Sequence, residues 1–148
     1  MLALLLKLDD RIFAIPARSV LEVVPKVALR PAPEAAAWLA GLFAYRGSIL
    51  PAVDLCMRVE GRPCRSLLSS RIVVVRRGPG GSGGSYGVLS ENVTDVRDFA
   101  ASELVHVEAE MASYVKGTIL SEGKMIHVLD VNCILPERLA LSAPESIE

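Results

Sequence analysis

Asp54 and Asp130 are the residues whose placement most suggests chemistry. They hold matching places in the two halves of the chain, and paired carboxylates can divide general acid and general base work. Each also ends an apolar run that reads as a strand, where a carboxylate accepts hydrogen bonds from turn amides. That structural role accounts for the duplication equally well, and it is the reading adopted here. His106 and His127 are single and far apart, and neither has a neighbouring nucleophile to activate. His127 alternates with apolar neighbours and is expected to face solvent or a partner. Cys56, Cys64 and Cys133 form an odd set without Cys-x-x-Cys spacing, which speaks against zinc and against a disulfide framework. They are expected to be reduced, largely buried thiols. The stretch Gly78-Pro-Gly-Gly-Ser-Gly-Gly-Ser85 has the glycine content of a phosphate-binding loop, but no Gly-Lys-Ser/Thr follows. It reads as the flexible tip of a hairpin. Gly-x-Ser-x-Gly and His-Glu-x-x-His are absent, so no enzyme is predicted, and no catalytic residue, cofactor or metal.

Arg46 stands out for a different chemistry. It lies among Leu42, Phe43, Tyr45, Ile49 and Leu50, where a guanidinium must reach solvent or find a fixed acceptor. Two readings stay open: an internal ion pair tying two lobes together, or a charged anchor for a partner, since arginine amid aromatics is a common hot-spot composition.

The elements that position these residues come as a repeat. Trp38, Gly41, Gly47 and Asp54 return, in type or close analogue, as Tyr114, Gly117, Gly123 and Asp130, each 76 residues later. Arg46 falls opposite Glu122. Upstream, Phe13–Val23 resembles Tyr86–Val96 at an offset of 73. A long period seen twice indicates a duplicated domain half rather than a solenoid. Leu2–Leu8 and Ile12–Ile15 read as a hairpin, and Ala17–Val24 as a short helix begun by Pro16. Glu34–Leu39 reads as one helical turn, and Ile49–Leu55 as a strand whose Pro51 belongs at an edge, a bulge or a face turned toward another chain. Arg71–Arg76 and Tyr86–Leu89 form the next hairpin. Asp98–Met111 reads as a helical turn or irregular crossover, Met125–Val131 as a strand and Asn132–Leu135 as a short terminal helix. Many short strands and a twofold repeat predict an all-β protein of two small barrels sharing an apolar interface.

With 148 residues the chain fits one domain or two small lobes sharing a core. A hydrophobic content of 51% and mean hydropathy of +0.40 are high, so the surplus must be buried between the halves or against partners. Net charge is −1 and the longest cationic run is Arg76-Arg77, which speaks against nucleic-acid binding. No apolar stretch approaches the ~20 residues of a membrane span, and Met1–Leu6 lacks the flanks of a signal peptide. A cytosolic protein without direct membrane insertion is expected.

Phe13-Ala-Ile-Pro16, Val20-Leu-Glu-Val23, Trp38-Leu-Ala-Gly41, Tyr45-Arg-Gly47, Ile49–Leu55, Tyr86-Gly-Val-Leu89 and Met125–Val131, taken in order, resemble CheW-like chemotaxis coupling proteins. The resemblance implies one domain over residues 1–136 with a tail at 137–148. Within it would lie two five-stranded SH3-like β-barrel subdomains, about 9–66 and 67–136, with sharing of the N-terminal strand between them left open. It also implies a non-enzymatic adaptor, cytoplasmic and recruited to membrane arrays through partners. Those partners would be the regulatory domain of a CheA-type histidine kinase and the cytoplasmic tips of methyl-accepting chemoreceptors. Val20, Glu22, Gly41 and Arg46 match family positions linked to that coupling. The chain departs from the family pattern at Ala36, Ala44, Tyr45 and Ser90-Glu91, which suggests a non-flagellar, surface-sensing pathway. The rival of another class is a small-ligand-binding double barrel using the inter-lobe cleft.

Overall fold

In the computed structural model, which describes residues 1–33, 36–106 and 112–135, Leu2–Leu8 (β1) and Arg11–Pro16 (β2) form the expected hairpin. Both faces of β1 are buried, which is why its apolar run does not alternate: Leu4, Leu6 and Leu8 face one cluster, and Ala3 and Leu5 another. After a three-residue 3₁₀ turn at Ala17–Ser19 comes Val20–Pro25 (β3), not the helix predicted over Ala17–Val24. Val20, Glu22 and Val24 are half-buried while Leu21, Val23 and Pro25 are exposed. This period of two suits the β-branched valines, whose stiff side chains disfavour a helix.

Leu39–Tyr45 (β4) and Ser48–Asp54 (β5) form a second hairpin, followed by the helix Leu55–Glu60 (α1). Pro51 lies one residue before β5 begins to pair with its other neighbour at Ala52. Arg71–Arg76 (β6) and Ser85–Ser90 (β7) flank the glycine-rich tip, as predicted. The rest comprises Asn92–Asp98 (β8), Leu104–Val105 (β9), Val115–Ser121 (β10), Lys124–Leu129 (β11) and the predicted terminal helix, at Val131–Ile134 (α2). Of the two uncertain segments, Ala36–Leu39 makes a turn closed by the Leu39 N–H on the Ala36 carbonyl (3.0 Å). Glu34 and Ala35 lie outside the described residues. Asp98–His106 carries a 3₁₀ turn at Ala101–Glu103 and β9, and residues 107–111 lie outside the described ones.

The strands build a six-stranded sheet, ordered β8-β1-β2-β11-β10-β9, and a five-stranded one, β3-β6-β7-β5-β4. These are the two SH3-like subdomains, and the repeat maps one onto the other position by position. β2 pairs in parallel with β11 as β7 does with β5. The Asp54 N–H donates to the Trp38 carbonyl (2.7 Å) as Asp130 does to Tyr114 (2.8 Å). The two-residue strand β9 corresponds to a lone bridge between Arg30 and Leu42. The hairpins are exchanged between halves. β1–β2 from the start of the chain completes the sheet of the second half, and β6–β7 completes that of the first.

The exchange places the main core between the lobes. Leu6, Leu8, Phe13 and Ile15 from one sheet meet Val53, Val73, Val75, Tyr86 and Val88 from the other, all fully buried. The Tyr86 hydroxyl donates to the Val131 carbonyl, so this buried ring has its polar end satisfied. Burying each such side chain contributes roughly 1.5–3 kcal/mol. Each lobe also keeps a smaller core, around Ile119, Ile126 and Val128 in one and Phe43, Ile72 and Leu89 in the other.

The repeated glycines mark close approach and tight turning. At Gly41 (φ 148°) a Cβ would lie 2.7 Å from the Arg30 carbonyl oxygen, where the neighbouring chain crosses a bulge in β4. Its repeat partner Gly117 sits at a bulge in β10, where a Cβ would meet the Leu104 side chain at 2.7 Å. The obstacle at Gly41 is backbone and at Gly117 a flexible side chain. Gly41→Ala is therefore expected to cost about 2–3 kcal/mol and Gly117→Ala about half of that, read by thermal or urea unfolding.

Candidate protein-interaction site

Arg46 and Gly47 are the two turn residues of the β4–β5 hairpin, with φ of 48° and 80°, and Glu122 and Gly123 repeat this at β10–β11 with 51° and 75°. Both residues of such a two-residue turn take positive φ, which a large side chain adopts reluctantly. The fold fixes the backbone at this place and leaves the side chain free: cationic in one lobe, anionic in the other.

β3 and β4 are opposite edges of the five-stranded sheet, yet their side chains meet. Arg46 Nη2 and the Tyr45 hydroxyl both donate to Glu22 Oε1 at 2.8 Å, and Arg46 Nε donates to the Tyr45 oxygen at 3.1 Å. The guanidinium also lies 5.4 Å from the centre of the Tyr45 ring. The sheet thus curls until its edges are clasped by side chains. The ion pair joins two edges of one lobe, not the two lobes. Arg46, followed by Tyr45, holds the Glu22 carboxyl below its usual range, while desolvation and the adjacent carboxylate raise the Tyr45 phenol. Arg46 is nonetheless 74% exposed, so it keeps donors free for another molecule.

Of the four residues predicted to couple partners, the structure therefore brings Glu22 and Arg46 into contact. Val20 lies two residues along β3, packed against the inter-lobe core. Gly41 is buried beneath Arg30. On the same lobe, Leu21 and Val23, on the face of β3 opposite Glu22, and Ile49 of β5 expose apolar side chains, and the other lobe exposes Val105, Leu120 and Met125. Leu120 and Met125 are cross-strand partners, and Val105 lies opposite Thr118 on the adjacent strand.

The tie between lobes is a network that the sequence did not reveal. Glu91, fully buried after β7, accepts from Arg62 Nη1 (2.7 Å), the Arg65 N–H (2.6 Å) and Arg65 Nε (3.1 Å). The same arginines reach across to Asp9 in the β1–β2 turn, at 3.0 and 2.7 Å. Arg62 first, and Arg65 with it, hold the Glu91 carboxyl well below the usual carboxylate range.

Asp54 and Asp130 take the predicted structural role as caps of α1 and α2. Asp54 accepts from the N–H groups of Met57 (3.0 Å) and Cys64 (3.0 Å), and Asp130 from that of Asn132 (3.0 Å). Because Asp54 alone also anchors the Cys64 loop, Asp54→Ala is expected to cost about 2–3 kcal/mol and Asp130→Ala about 1 kcal/mol in chemical unfolding. The Asp54 carboxylate and the Cys56 and Cys64 thiols lie within 4.8 Å of one another. The carboxylate is already bound by backbone donors, and contact with the Cys56 thiol, with burial, pushes the Cys64 thiol far up. A Cys64 thiol held in its protonated form beside a carboxylate already engaged in capping makes a packed cluster rather than a ready set of metal ligands. His127 is half-buried beside Thr118 (3.1 Å) and the Phe13 ring rather than pointing freely to solvent, and burial lowers its pKa. Among the described residues, no helix is long and apolar enough to cross a membrane.

Comparisons with known proteins agree with this architecture. A chemotaxis protein CheW of Rhizobium meliloti (strain 1021) is 24% identical over 135 residues, covering 88% of this chain and 84% of that protein. The fold matches the scaffolding protein TtCheW from Thermoanaerobacter tengcongensis with a TM-score of 0.82, 21% identity and coverage of 95% of this chain and 93% of that one. The CheW-like domain is matched over residues 2–138, and the chain belongs to the CheW-like domain family.

Proposed function

We propose that this chain is a non-enzymatic, cytoplasmic adaptor that couples methyl-accepting chemoreceptors to a CheA-type histidine kinase. The observation that carries the reading is the clasp at the rim of the five-stranded lobe. A positive-φ turn presents an arginine that is ion-paired and yet 74% exposed, on a lobe that also exposes the apolar side chains of Leu21, Val23 and Ile49. Apolar anchors with a charged rim suit a receptor helix lying in a groove. In this scheme Arg46 and Glu22 touch the partner, Val20 sets the inclination of β3 against the core, and Gly41 acts by letting the chain at Arg30 cross closely. The second apolar patch, at Val105, Leu120 and Met125, would face a barrel of the kinase. Each contact can be weak, because an array supplies avidity.

The departures from the family pattern support a non-flagellar, surface-sensing pathway as the finer assignment. Two of the departing residues, Tyr45 and Glu91, are hubs of the clasp and of the inter-lobe network. Co-sedimentation with a kinase regulatory domain and a receptor cytoplasmic fragment from the same organism tests the coupling. A ternary complex is expected, whereas a folded monomer that joins no candidate kinase would sink the proposal.

A further inference from the structure

A cleft of about 380 Å³ opens where the two lobes meet, on the side of the glycine-rich tip. Arg18 of the 3₁₀ turn and Arg76 at the end of β6 come to it from the five-stranded side, and Lys116 of β10 from the six-stranded side. Asp130 is the one carboxylate on its walls, and its oxygens are taken by the Asn132 N–H and the Cys133 thiol. Among the described residues, Arg18, Arg76 and Lys116 form no ion pair.

Arg76 shows what the cleft lacks. Its Nε–H is buried and, among the described residues, has no hydrogen-bond acceptor. Native proteins rarely leave a buried donor unmade, and a missing ion is a standard reason for one. Elsewhere this chain spends its arginines carefully: Arg46, Arg62 and Arg65 each hold a carboxylate. Among the described residues, the three cations of the cleft face one carboxylate, Asp130, and none of them pairs with it.

The space is also built rather than merely left over. The Gly78 N–H donates to Asn132 Oδ1 at 2.7 Å, which ties the glycine-rich tip to the start of α2 and fixes one wall. Pro16, Pro79 and Leu129 supply rigid apolar lining. Its volume lies at the lower end of the range for small-molecule sites. Cations arriving from three elements suit a group with several acceptor oxygens and more than one negative charge, and guanidinium pairs with phosphate bidentately.

We propose that this cleft binds a small phosphate-bearing molecule that bridges the two lobes. Binding to the folded chain alone stabilises it by mass action, so the ligand would act as a removable staple.

The test is titration of the full chain with inorganic pyrophosphate at constant ionic strength. It is followed by amide chemical shifts of Gly78, Gly80, Lys116 and Asn132 and by the thermal midpoint. Saturable shifts confined to the cleft are expected, with a raised midpoint and affinity weakened roughly tenfold in Arg76→Gln and in Lys116→Gln. Lys116 is only half-buried, so Lys116→Gln keeps the test open even if Arg76→Gln fails to fold. Shifts that rise linearly, match those from sodium chloride or persist unchanged in Lys116→Gln would overturn the proposal. So would saturable binding of a polyglutamate peptide with none of pyrophosphate, which would assign the cations to an acidic polypeptide instead.

Discussion

Arg46→Ala is expected to weaken the ternary complex with kinase and receptor roughly tenfold or more, while the thermal midpoint of the isolated chain stays unchanged. The two halves of this expectation have separate causes. The Arg46–Glu22 pair is held in largely solvent-exposed geometry, where water and salt screen it, so its loss hardly disturbs folding. At a partner interface the same guanidinium would be desolvated and its unused donors engaged. The reversed pair, Glu22→Arg with Arg46→Glu, separates clasp from contact. If coupling needs only a clasped sheet edge, the double variant recovers binding that each single variant loses. If Arg46 touches the partner, the double variant stays deficient. An Arg46→Ala chain that unfolds, or that couples as well as wild type, would end the claim that this turn is an interface.

Glu91→Ala should have the largest effect on stability, about 2–4 kcal/mol, lowering the melting temperature by roughly 5–15 °C. Breaking a buried ion pair is costly, but Arg62 and Arg65 are 31% and 56% exposed and can turn to water, which keeps the loss toward the lower part of the usual range. Glu91→Gln preserves the shape and isolates the charge. The native carboxyl titrates far below the ~4.3 of an unfolded glutamate, so the unfolded chain takes up the proton first. The Glu91 contribution is therefore whole above about pH 5 and drains away as the pH falls from there toward the native value. Urea midpoints measured from pH 7 to pH 3 should fall more steeply for wild type than for Glu91→Gln. Parallel curves would show that Glu91 is not the anion holding the lobes together.

Much of this could be read from residue spacing. The repeat singled out Gly41 and Gly117, Gly47 and Gly123, and Asp54 and Asp130, and in the structure these sit at bulges, in hairpin turns and at helix caps, where glycines and caps carry their reasons locally. What escaped depends on distant residues. Val20–Val24 fits either period over so short a run, and only pairing with β6 decides for a strand. The polar run Asn92–Asp98 gave no strand signal, yet it forms an edge against β1, with Val93 packed on the core and the side chains from Thr94 onward in water. Residues 9, 62, 65 and 91 show no pattern in one dimension, so their network was invisible before the topology gathered them. Arg46 and Glu22 were singled out separately, but their contact follows from the curl of a sheet whose edges are 24 residues apart in sequence.

The exchange of hairpins also bears on how the chain is made. The five-stranded lobe lies within residues 20–90 and can begin to assemble while synthesis continues. The first hairpin cannot, since β2 waits for β11, on the order of a hundred residues later. At about 5–20 residues per second, Ala3, Leu5 and Ala14, which pack against Ile119, Ile126 and Val128, spend roughly 5–20 s on the ribosome without their final neighbours. One face of this apolar hairpin is thus made long before it is housed. A nascent chain stalled before Lys124 should be a substrate for holding chaperones, and release of the last strand should end that need.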